Sequence, residues 1–152
     1  MGPVYRLLEQ DHRRLDRLLQ KAMAGPELDT DAFEQFRAGL LRHIGMEEKV
    51  LFPAARNARG GEPVAGANRL RVDHSRLAAM LVPTPSMAIA EDIRDLLQDH
   101  NRLEEGPDGV YARCEAAIGD EAEAVAARLR DYPEVPLAPH FDGPGTYRPR
   151  RR

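Results

Sequence analysis

Three histidines in this sequence lie in nearly identical pentapeptides, and each continues an apolar helical stripe. The pentapeptides read DHRRL around His12, DHSRL around His74 and DHNRL around His100. The apolar residues on either side of each histidine recur every three or four positions, which is the period of one face of an α-helix. Each histidine therefore takes a position on the face that a helix buries. Such a chain is expected to form long helices with polar groups inside their shared core.

A second pattern places a glutamate one turn after a histidine. His43 is followed by Glu47, and His100 is followed by Glu104. Residues four apart lie on the same face of a helix, one above the other, so both members of each pair point inward. A buried carboxylate is costly unless it has a hydrogen-bonding partner or a metal ion. Taken alone, one such pair is consistent with a simple buried His–Glu hydrogen bond.

The apolar periodicity and the turn signals predict a protein made only of helices. Glycine and proline clusters separate the periodic segments, and no stretch alternates like a β-strand. Long helices with short connections favour an all-α, up-down-up-down antiparallel four-helix bundle, with an extra C-terminal helical segment and an extended tail. The predicted helices span residues 3–23, 31–57 (bent near Pro53), 63–82 and 87–105, and the extra segment spans 110–132 with a break near Gly119. We expect one domain over residues 1–132 and a Pro- and Arg-rich tail over 133–152.

The predicted helices bring the histidines and glutamates towards one level of the core. Counting residues from the turns places His12 level with His43, and Glu47 level with His74. The same count leaves His100 about 9 Å from the level of His74, at 1.5 Å per residue. The last helix must therefore begin later than predicted or extend beyond its neighbour.

Four histidines and two carboxylates in one core are difficult to satisfy without a cation. Neutral imidazole together with carboxylate suits iron, zinc or manganese, and the lack of thiolate ligands argues against a structural zinc site. Six protein ligands exceed what one tetrahedral ion uses, so we predict two ions that share both glutamates. The predicted ligands are His12, His43, Glu47, His74, His100 and Glu104.

This order of residues resembles the hemerythrin-like (HHE cation-binding) domain over about residues 5–105. The resemblance is carried by His12, by HIGMEEKVLFP at residues 43–53, and by DHSRL and DHNRLEE around His74 and His100. It implies a four-helix bundle around an oxo- or hydroxo-bridged non-haem di-iron centre. That centre would bind O2 reversibly or sense O2, NO, peroxide or iron. Glu104 matches a bridging carboxylate of the bacterial pattern, with Glu105 as the alternative.

The sequence departs from oxygen-carrying members of that family on the third helix. Those proteins carry a His-x-x-x-His pair there, whereas His74 is followed four residues later by Ala78. The position left open can take water and then a small ligand, or it can take another protein side chain. The protein candidates are Glu9, Asp16 and His140.

Neighbours of the predicted ligands carry further expectations. An aspartate directly precedes three of the histidines, and each aspartate lies about 100° round the helix from its histidine. We therefore expect these aspartates to be surface charges. Glu48, beside Glu47, fits either a surface charge or a hydrogen-bonding partner of a metal ligand. The expected surface aspartates are Asp11, Asp73 and Asp99, and the residues expected to line an apolar pocket at the centre are Leu15, Leu40, Ile44, Leu77 and Leu103.

The composition argues against several other functions. The formal net charge is −3, and the only concentrated basic run, Arg148 with residues 150–152, is typical of a solvated tail, so no nucleic acid is expected. No apolar run suits a membrane span or a signal peptide, and the single cysteine, Cys114, fits a reducing cytoplasm.

The rival functions are an adaptor bundle with a structural metal, which would act on a protein partner in trans, and a ferritin-like iron oxidant. The ferritin-like pattern needs Glu-x-x-His on two helices, and only Glu9 with His12 fits it. Binding of a small ligand is therefore favoured over enzymatic activity.

Overall fold

The computed structural model describes residues 1–149, and its secondary structure there is entirely helical, as the sequence predicts. A π-helical turn, Glu47–Leu51, continues α2 into α3, and a 3-10 turn, Gly119–Glu121, joins α6 to α7. The seven helices are α1 Pro3–Met23, α2 Thr30–Met46, α3 Phe52–Ala58, α4 Ala67–Met80, α5 Met87–Glu105, α6 Val110–Ile118 and α7 Ala122–Arg130. None of the helices within residues 1–149 is long and apolar enough to cross a membrane.

The π-helical turn stands where the sequence predicts a bend. Pro53 has no N–H, and in a regular α-helix its ring would meet the carbonyl four residues earlier. The backbone N–H of Phe52 instead bonds to the carbonyl of Glu47, five residues back, which widens the turn just before the proline. Such turns occur frequently at functional sites. Here the turn carries Glu47 and Glu48, both of which contact histidines.

The third long helix is shorter than predicted at both ends. α4 begins at Ala67 because Gly66 adopts a φ of +93°, a left-handed conformation that a continuing helix excludes. It ends at Met80, and α5 begins at Met87 as predicted, where the Ser86 side chain accepts a hydrogen bond from the N–H of Ile89 (3.2 Å). The six residues between these helices form the turn.

The level mismatch between His74 and His100 is resolved by an overhang of α5. His74 lies about 9 Å from the end of α4, and His100 about 20 Å from the start of α5, at 1.5 Å per residue. Their ring centroids are nevertheless only 5.0 Å apart. The first part of α5 therefore extends beyond α4. The tail covers this overhang, since the Tyr147 hydroxyl donates a hydrogen bond to Asp92 (2.5 Å).

A layer of buried polar side chains divides the apolar core into two clusters. Along α1, Leu8 belongs to one cluster and Leu15 to the other, and His12 lies between them. α4 repeats the arrangement, with His74 between Leu70 and a buried leucine of the second cluster. Each fully buried large apolar side chain contributes about 1.5–3 kcal/mol. Apolar packing on both sides thus holds the polar layer in place.

The helices after α5 pack against α1 and belong to the first core cluster, to which α6 contributes the buried Cys114 and α7 the buried Leu129. Glu115 of α6 accepts hydrogen bonds from the N–H groups of Val4 (2.9 Å) and Tyr5 (3.0 Å), so it caps α1, which has no local side-chain cap. The tail is extended, and Arg37 of α2 donates a hydrogen bond to the carbonyl of Ala138 (2.6 Å). The basic run at residues 150–152 lies outside the described residues.

Candidate metal centre

The six predicted ligands lie together in the polar layer. Their side chains are at most 7% exposed, and both glutamates are fully buried. They form two groups, and within each group one ligand atom from every residue lies within 4.8 Å of the others. The first group is His12, His43, Glu47 and Glu104, and the second is Glu47, His74, His100 and Glu104. Both carboxylates belong to both groups.

Glu47 reaches one histidine of each group. Its Oε2 lies 2.9 Å from Nε2 of His43, and its Oε1 lies 2.8 Å from Nε2 of His74. The π-helical turn holds Glu47 one turn below His43, so the first contact is local. The second contact crosses from the α2–α3 helix to α4.

Glu104 makes the matching pair of contacts from α5. Its Oε1 lies 3.0 Å from Nε2 of His12, and its Oε2 lies 3.3 Å from Nε2 of His100. Each carboxylate thus places one oxygen against a histidine of each group. This is the arrangement that two neighbouring cations would need from two shared carboxylates.

Several of these facing atoms lack the hydrogen bond that burial normally requires. Oε1 of Glu47, Nε2 of His74 and both carboxylate oxygens of Glu104 are buried without a hydrogen-bond partner among residues 1–149. The first two atoms are 2.8 Å apart, but their directions do not make a hydrogen bond. An unsatisfied buried polar group costs about 1–3 kcal/mol. Imidazole nitrogens and carboxylate oxygens are cation ligands, so a pair of metal ions fits this donor set.

The outer nitrogens of two histidines contact aspartates from neighbouring helices. Nδ1 of His43 lies 2.7 Å from Oδ2 of Asp11, and Nδ1 of His100 lies 3.2 Å from Oδ2 of Asp73. The prediction that Asp11 and Asp73 are surface charges is wrong. Each is rotated about 100° round its helix from the histidine that follows it, and at that angle the side chain faces the neighbouring helix and not solvent. Asp99, whose side chain is 69% exposed, is the surface charge that was expected.

The other two histidines have glutamate partners of the same kind. Nδ1 of His74 lies 2.7 Å from Oε2 of Glu48, and Nδ1 of His12 contacts the carboxylate of Glu105. Glu105 therefore lies on the outer side of a histidine, whereas Glu104 lies in both groups. Carboxylates on the outer nitrogen orient the ring and direct the other nitrogen at a metal.

The carboxylates also keep protons on the histidines when no metal is bound. Burial lowers the pKa of His43, but Glu47 and Asp11 outweigh it and raise the value to about 10. Burial likewise lowers the pKa of His100, while Glu104 raises it to about 9. Both imidazoles are thus protonated at neutral pH in the metal-free protein. A cation must displace these protons, so metal binding strengthens as the pH rises.

A tyrosine that the sequence patterns did not identify enters the first group from α6. The hydroxyl of Tyr111 lies 2.9 Å from Nε2 of His12 and 3.1 Å from Nε2 of His43, and it donates a hydrogen bond to Glu47. Burial, followed by the negative charges of Glu104 and Glu47, raises the pKa of this hydroxyl well above its ordinary value. Tyr111 adds an oxygen atom that could bind a metal ion to the first group only.

The end of α5, close to the metal centre, positions Tyr111. The helix ends one residue after Glu104, and the turn closes with a hydrogen bond from the N–H of Gly109 to the carbonyl of Gly106 (2.8 Å). A Cβ atom at Gly109 would lie 2.6 Å from the carbonyl oxygen of Glu104, so the turn requires glycine. Glu115, one turn after Tyr111, fastens α6 to α1. The sequence did contain one signal for Tyr111. Gly106 and Pro107 end α5 just after Glu104, so the next helix must begin close to the centre.

None of the three protein candidates for the missing histidine belongs to either group. Glu9 pairs with the arginine one turn later on α1 (3.2 Å), and Asp16 accepts a hydrogen bond from the glutamine one turn later (2.9 Å). His140 contacts Glu34 and the carbonyl of Val82, where the tail is anchored.

An elongated cavity of about 510 Å³ reaches the centre. All four histidines line its inner end. Leu103, which was expected to line it, is instead 40% exposed, because it lies 100° round α5 from Glu104. The expected apolar residues that do line it are Leu15, Leu40, Ile44 and Leu77.

Comparison with known families gives a match over most of the chain. The family model described as the hemerythrin HHE cation binding domain matches residues 4–132, from the second residue of α1 to two residues beyond the end of α7. No curated protein and no solved structure matches the chain significantly.

Proposed function

Since the chain belongs to the hemerythrin HHE cation-binding domain family, we propose that it holds two iron ions and binds or senses a small ligand such as O2 or NO there. The observation that carries this proposal is the pair of four-residue groups that share both glutamates. Imidazole and carboxylate suit iron, and a carboxylate shared between two groups suits a pair of ions. When bound, the iron pair supplies redox-active positions for O2, NO or peroxide.

The roles of the six residues follow from the two groups. His12 and His43 would hold one ion, His74 and His100 the other, and the two glutamates would bridge them. The outer carboxylates would keep each histidine in the orientation and tautomer that a metal needs.

The two proposed ion positions differ in a way that favours ligand binding at one of them. The third-helix histidine of oxygen carriers is replaced by Ala78, so the ion at His74 and His100 has one protein ligand fewer. Tyr111 stands beside the other ion position. The cavity, whose middle is lined by leucines, leads from outside to the histidines. We therefore place the small-ligand position on the ion at His74 and His100.

The proposal also includes three features of the whole protein that the sequence predicts. These are an up-down antiparallel order of the four long helices, a cytoplasmic setting, and binding rather than catalysis as the activity. A ferritin-like iron oxidant is less well supported, because Glu9 forms a surface ion pair instead of joining His12 at the centre.

Elemental analysis of protein purified without oxygen from iron-supplemented cells tests the proposal. We expect about two irons per chain and a change in visible absorption when O2 or NO is added. Two irons without such a change would contradict the ligand-binding part. One metal per chain, or zinc, would favour the adaptor with a structural metal. Metal-free protein that also fails to take up iron in vitro would overturn the proposal.

A further inference from the structure

The cavity beside the centre is far larger than a diatomic ligand needs. Its volume is about 510 Å³, whereas a water molecule occupies roughly 30 Å³ in the liquid. Cavities of about 300–1,000 Å³ are typical of sites for organic molecules. A ligand of two atoms would leave most of this space empty.

The cavity runs along the bundle axis, away from the histidines. On α5 it extends from His100 to Arg94, about 9 Å, and on α1 from His12 to Met23, about 16 Å, at 1.5 Å per residue. Its middle is apolar, and the side chains there belong to the second core cluster. Those walls include Leu15, Leu19, Phe36, Leu40 and Leu77.

The edge of the cavity on α5 is a row of nitrogen donors. Arg94, Gln98 and Asn101 follow one another at spacings of four and three, so they share one helical face. The side-chain oxygen assigned to Asn101 is buried without a hydrogen-bond partner among the described residues. Because an amide can be turned over, Asn101 can offer either an acceptor or a donor there. Gln98 lies one turn after Arg94, so these two side chains can meet one polar ligand group, whereas Asn101 lies beside His100, about 10 Å from Arg94 along the helix at 1.5 Å per residue.

The charges at the two edges favour an anion on the α5 side. The guanidinium of Arg94 is 44% exposed and lies 3.3 Å from the exposed carboxylate of Asp95, a contact that solvent screens. On α1 the facing carboxylate is Asp16, which already accepts a hydrogen bond from Gln20 (2.9 Å). Arg94, the cationic group of the cavity edge, is therefore on α5, one turn before Gln98.

We propose that this cavity binds an amphipathic monocarboxylate, with its hydrocarbon chain among the leucines and its carboxylate on Arg94 and Gln98. An extended chain advances roughly 1.3 Å per carbon for staggered 1.5 Å bonds, so about seven carbons span the distance from Arg94 to the imidazoles. Acids of roughly eight to ten carbons fit this length. The site goes beyond the proposed binding of O2 or NO, because it adds an organic ligand held by residues outside the six metal ligands.

Calorimetric titration of the iron-loaded protein with decanoate tests the site, with decanol and decylamine as probes of the same chain length. We expect one decanoate per chain, bound at least tenfold more tightly than either of the others. Octanoate should bind roughly tenfold more weakly than decanoate, because each buried methylene changes affinity about threefold to fourfold. Equal binding of decanol, tighter binding of decylamine, or no binding of decanoate would each overturn the proposal.

Two variants and one control variant test the assigned site. Arg94→Gln should weaken decanoate about tenfold, while Arg102→Gln, an exposed arginine on the same helix that pairs with Asp99, should not. Leu97→Phe, at a half-buried position of the cavity wall, should also weaken binding. If Arg94→Gln binds decanoate as well as the parent does and the iron absorption shifts, the carboxylate binds the metals and the proposal is wrong.

Iron content measured on the same samples separates this site from the proposed centre. Two irons per chain without decanoate binding would overturn only the carboxylate site. Decanoate binding that depends on Arg94 in protein unable to take up iron would support the carboxylate site and overturn only the di-iron proposal.

Discussion

The two halves of the centre have nearly the same ligands but different neighbours. The Tyr111 half comprises His12, His43 and Tyr111, and the Ala78 half comprises His74, His100 and Ala78. The paired histidine rings are similarly close, with centroids 4.7 Å apart in the first half and 5.0 Å in the second. Among residues 1–149, a tyrosine hydroxyl lies against both imidazoles of the first half and against neither imidazole of the second.

This difference shows how a repeated sequence produces an unsymmetrical site. Each helical hairpin repeats one histidine followed by His-x-x-x-Glu, so the ligands themselves are related. α6 lies outside the repeat and packs on α1 through Glu115, which places Tyr111 on one half alone. Both halves share the two glutamates, whereas each histidine belongs to one half. Substituting a glutamate should therefore affect both halves, and substituting a histidine should affect only its own.

The largest effect is expected when a shared carboxylate is removed. Glu47→Ala should reduce bound iron from about two per chain to nearly none, whereas His43→Ala should leave about one, because His43 serves one half. Loss of metal should also lower thermal stability, since ligand at a thousand times its Kd stabilises the native state by about 4 kcal/mol. Metal analysis and calorimetric unfolding measure both effects.

The control for this comparison is Glu123→Ala, an exposed glutamate of α7. It should retain full metal content and stability. A Glu47→Ala protein that still carries two irons would remove the shared glutamate from the proposed centre.

The next largest effect is expected from the aspartates that orient one histidine in each half. Asp11→Asn and Asp73→Asn should each weaken metal binding about 10–100-fold, as loss of such partners usually does. The effect of Asp11→Asn should be greater, because its contact with His43 is 2.7 Å against 3.2 Å between Asp73 and His100. Competition with a chelator measures the affinities. Asp99→Asn is the matched control, and an equal loss in that exposed variant would contradict the orienting role.

A smaller effect on metal binding is expected at the tyrosine that distinguishes the halves. Tyr111→Phe should keep both ions with less than about a tenfold loss in affinity, because the histidines and glutamates remain. The ferric protein should lose any absorption band due to a tyrosine–iron contact. Tyr5→Phe, which removes a hydroxyl bound to the carbonyl of Glu105, is the control. Identical spectra of the Tyr111→Phe and parent proteins would show that this oxygen does not bind iron.

The smallest effect is expected at the fifth histidine. His140 lies with the tail, where it contacts Glu34 and the carbonyl of Val82, and not at the centre. His140→Ala should leave metal content unchanged and alter stability by about 1 kcal/mol or less, because its side chain is partly exposed and lies outside both core clusters. A loss of one ion in this variant would place the tail in the centre after all.

The sequence predicted most of the fold because helix periodicity is a local property. The recurrence of apolar residues every three or four positions located the four long helices, and the start of α5 agrees with the structure at Met87. The same periodicity identified the six buried residues that form the two groups. Boundaries were less accurate where one backbone conformation decides them, as at Gly66, whose left-handed φ delays α4.

The misassigned residues share one cause. Asp11, Asp73 and Leu103 each lie next to a ligand in the sequence and about 100° round the helix from it. Two of them face a neighbouring helix and the third faces solvent. Sequence spacing states the angle between two residues on a helix, but not what lies opposite each one.

The sequence by itself determined which residues enter the core of this protein and which of them share a helical face. Spacings of three and four residues set those faces within single helices, whatever the other helices do. Only the tertiary structure decided the carboxylate on each outer nitrogen, the overhang of α5 and the approach of Tyr111. These depend on how the helices are rotated and offset against one another, and many side chains distant in sequence set that packing together.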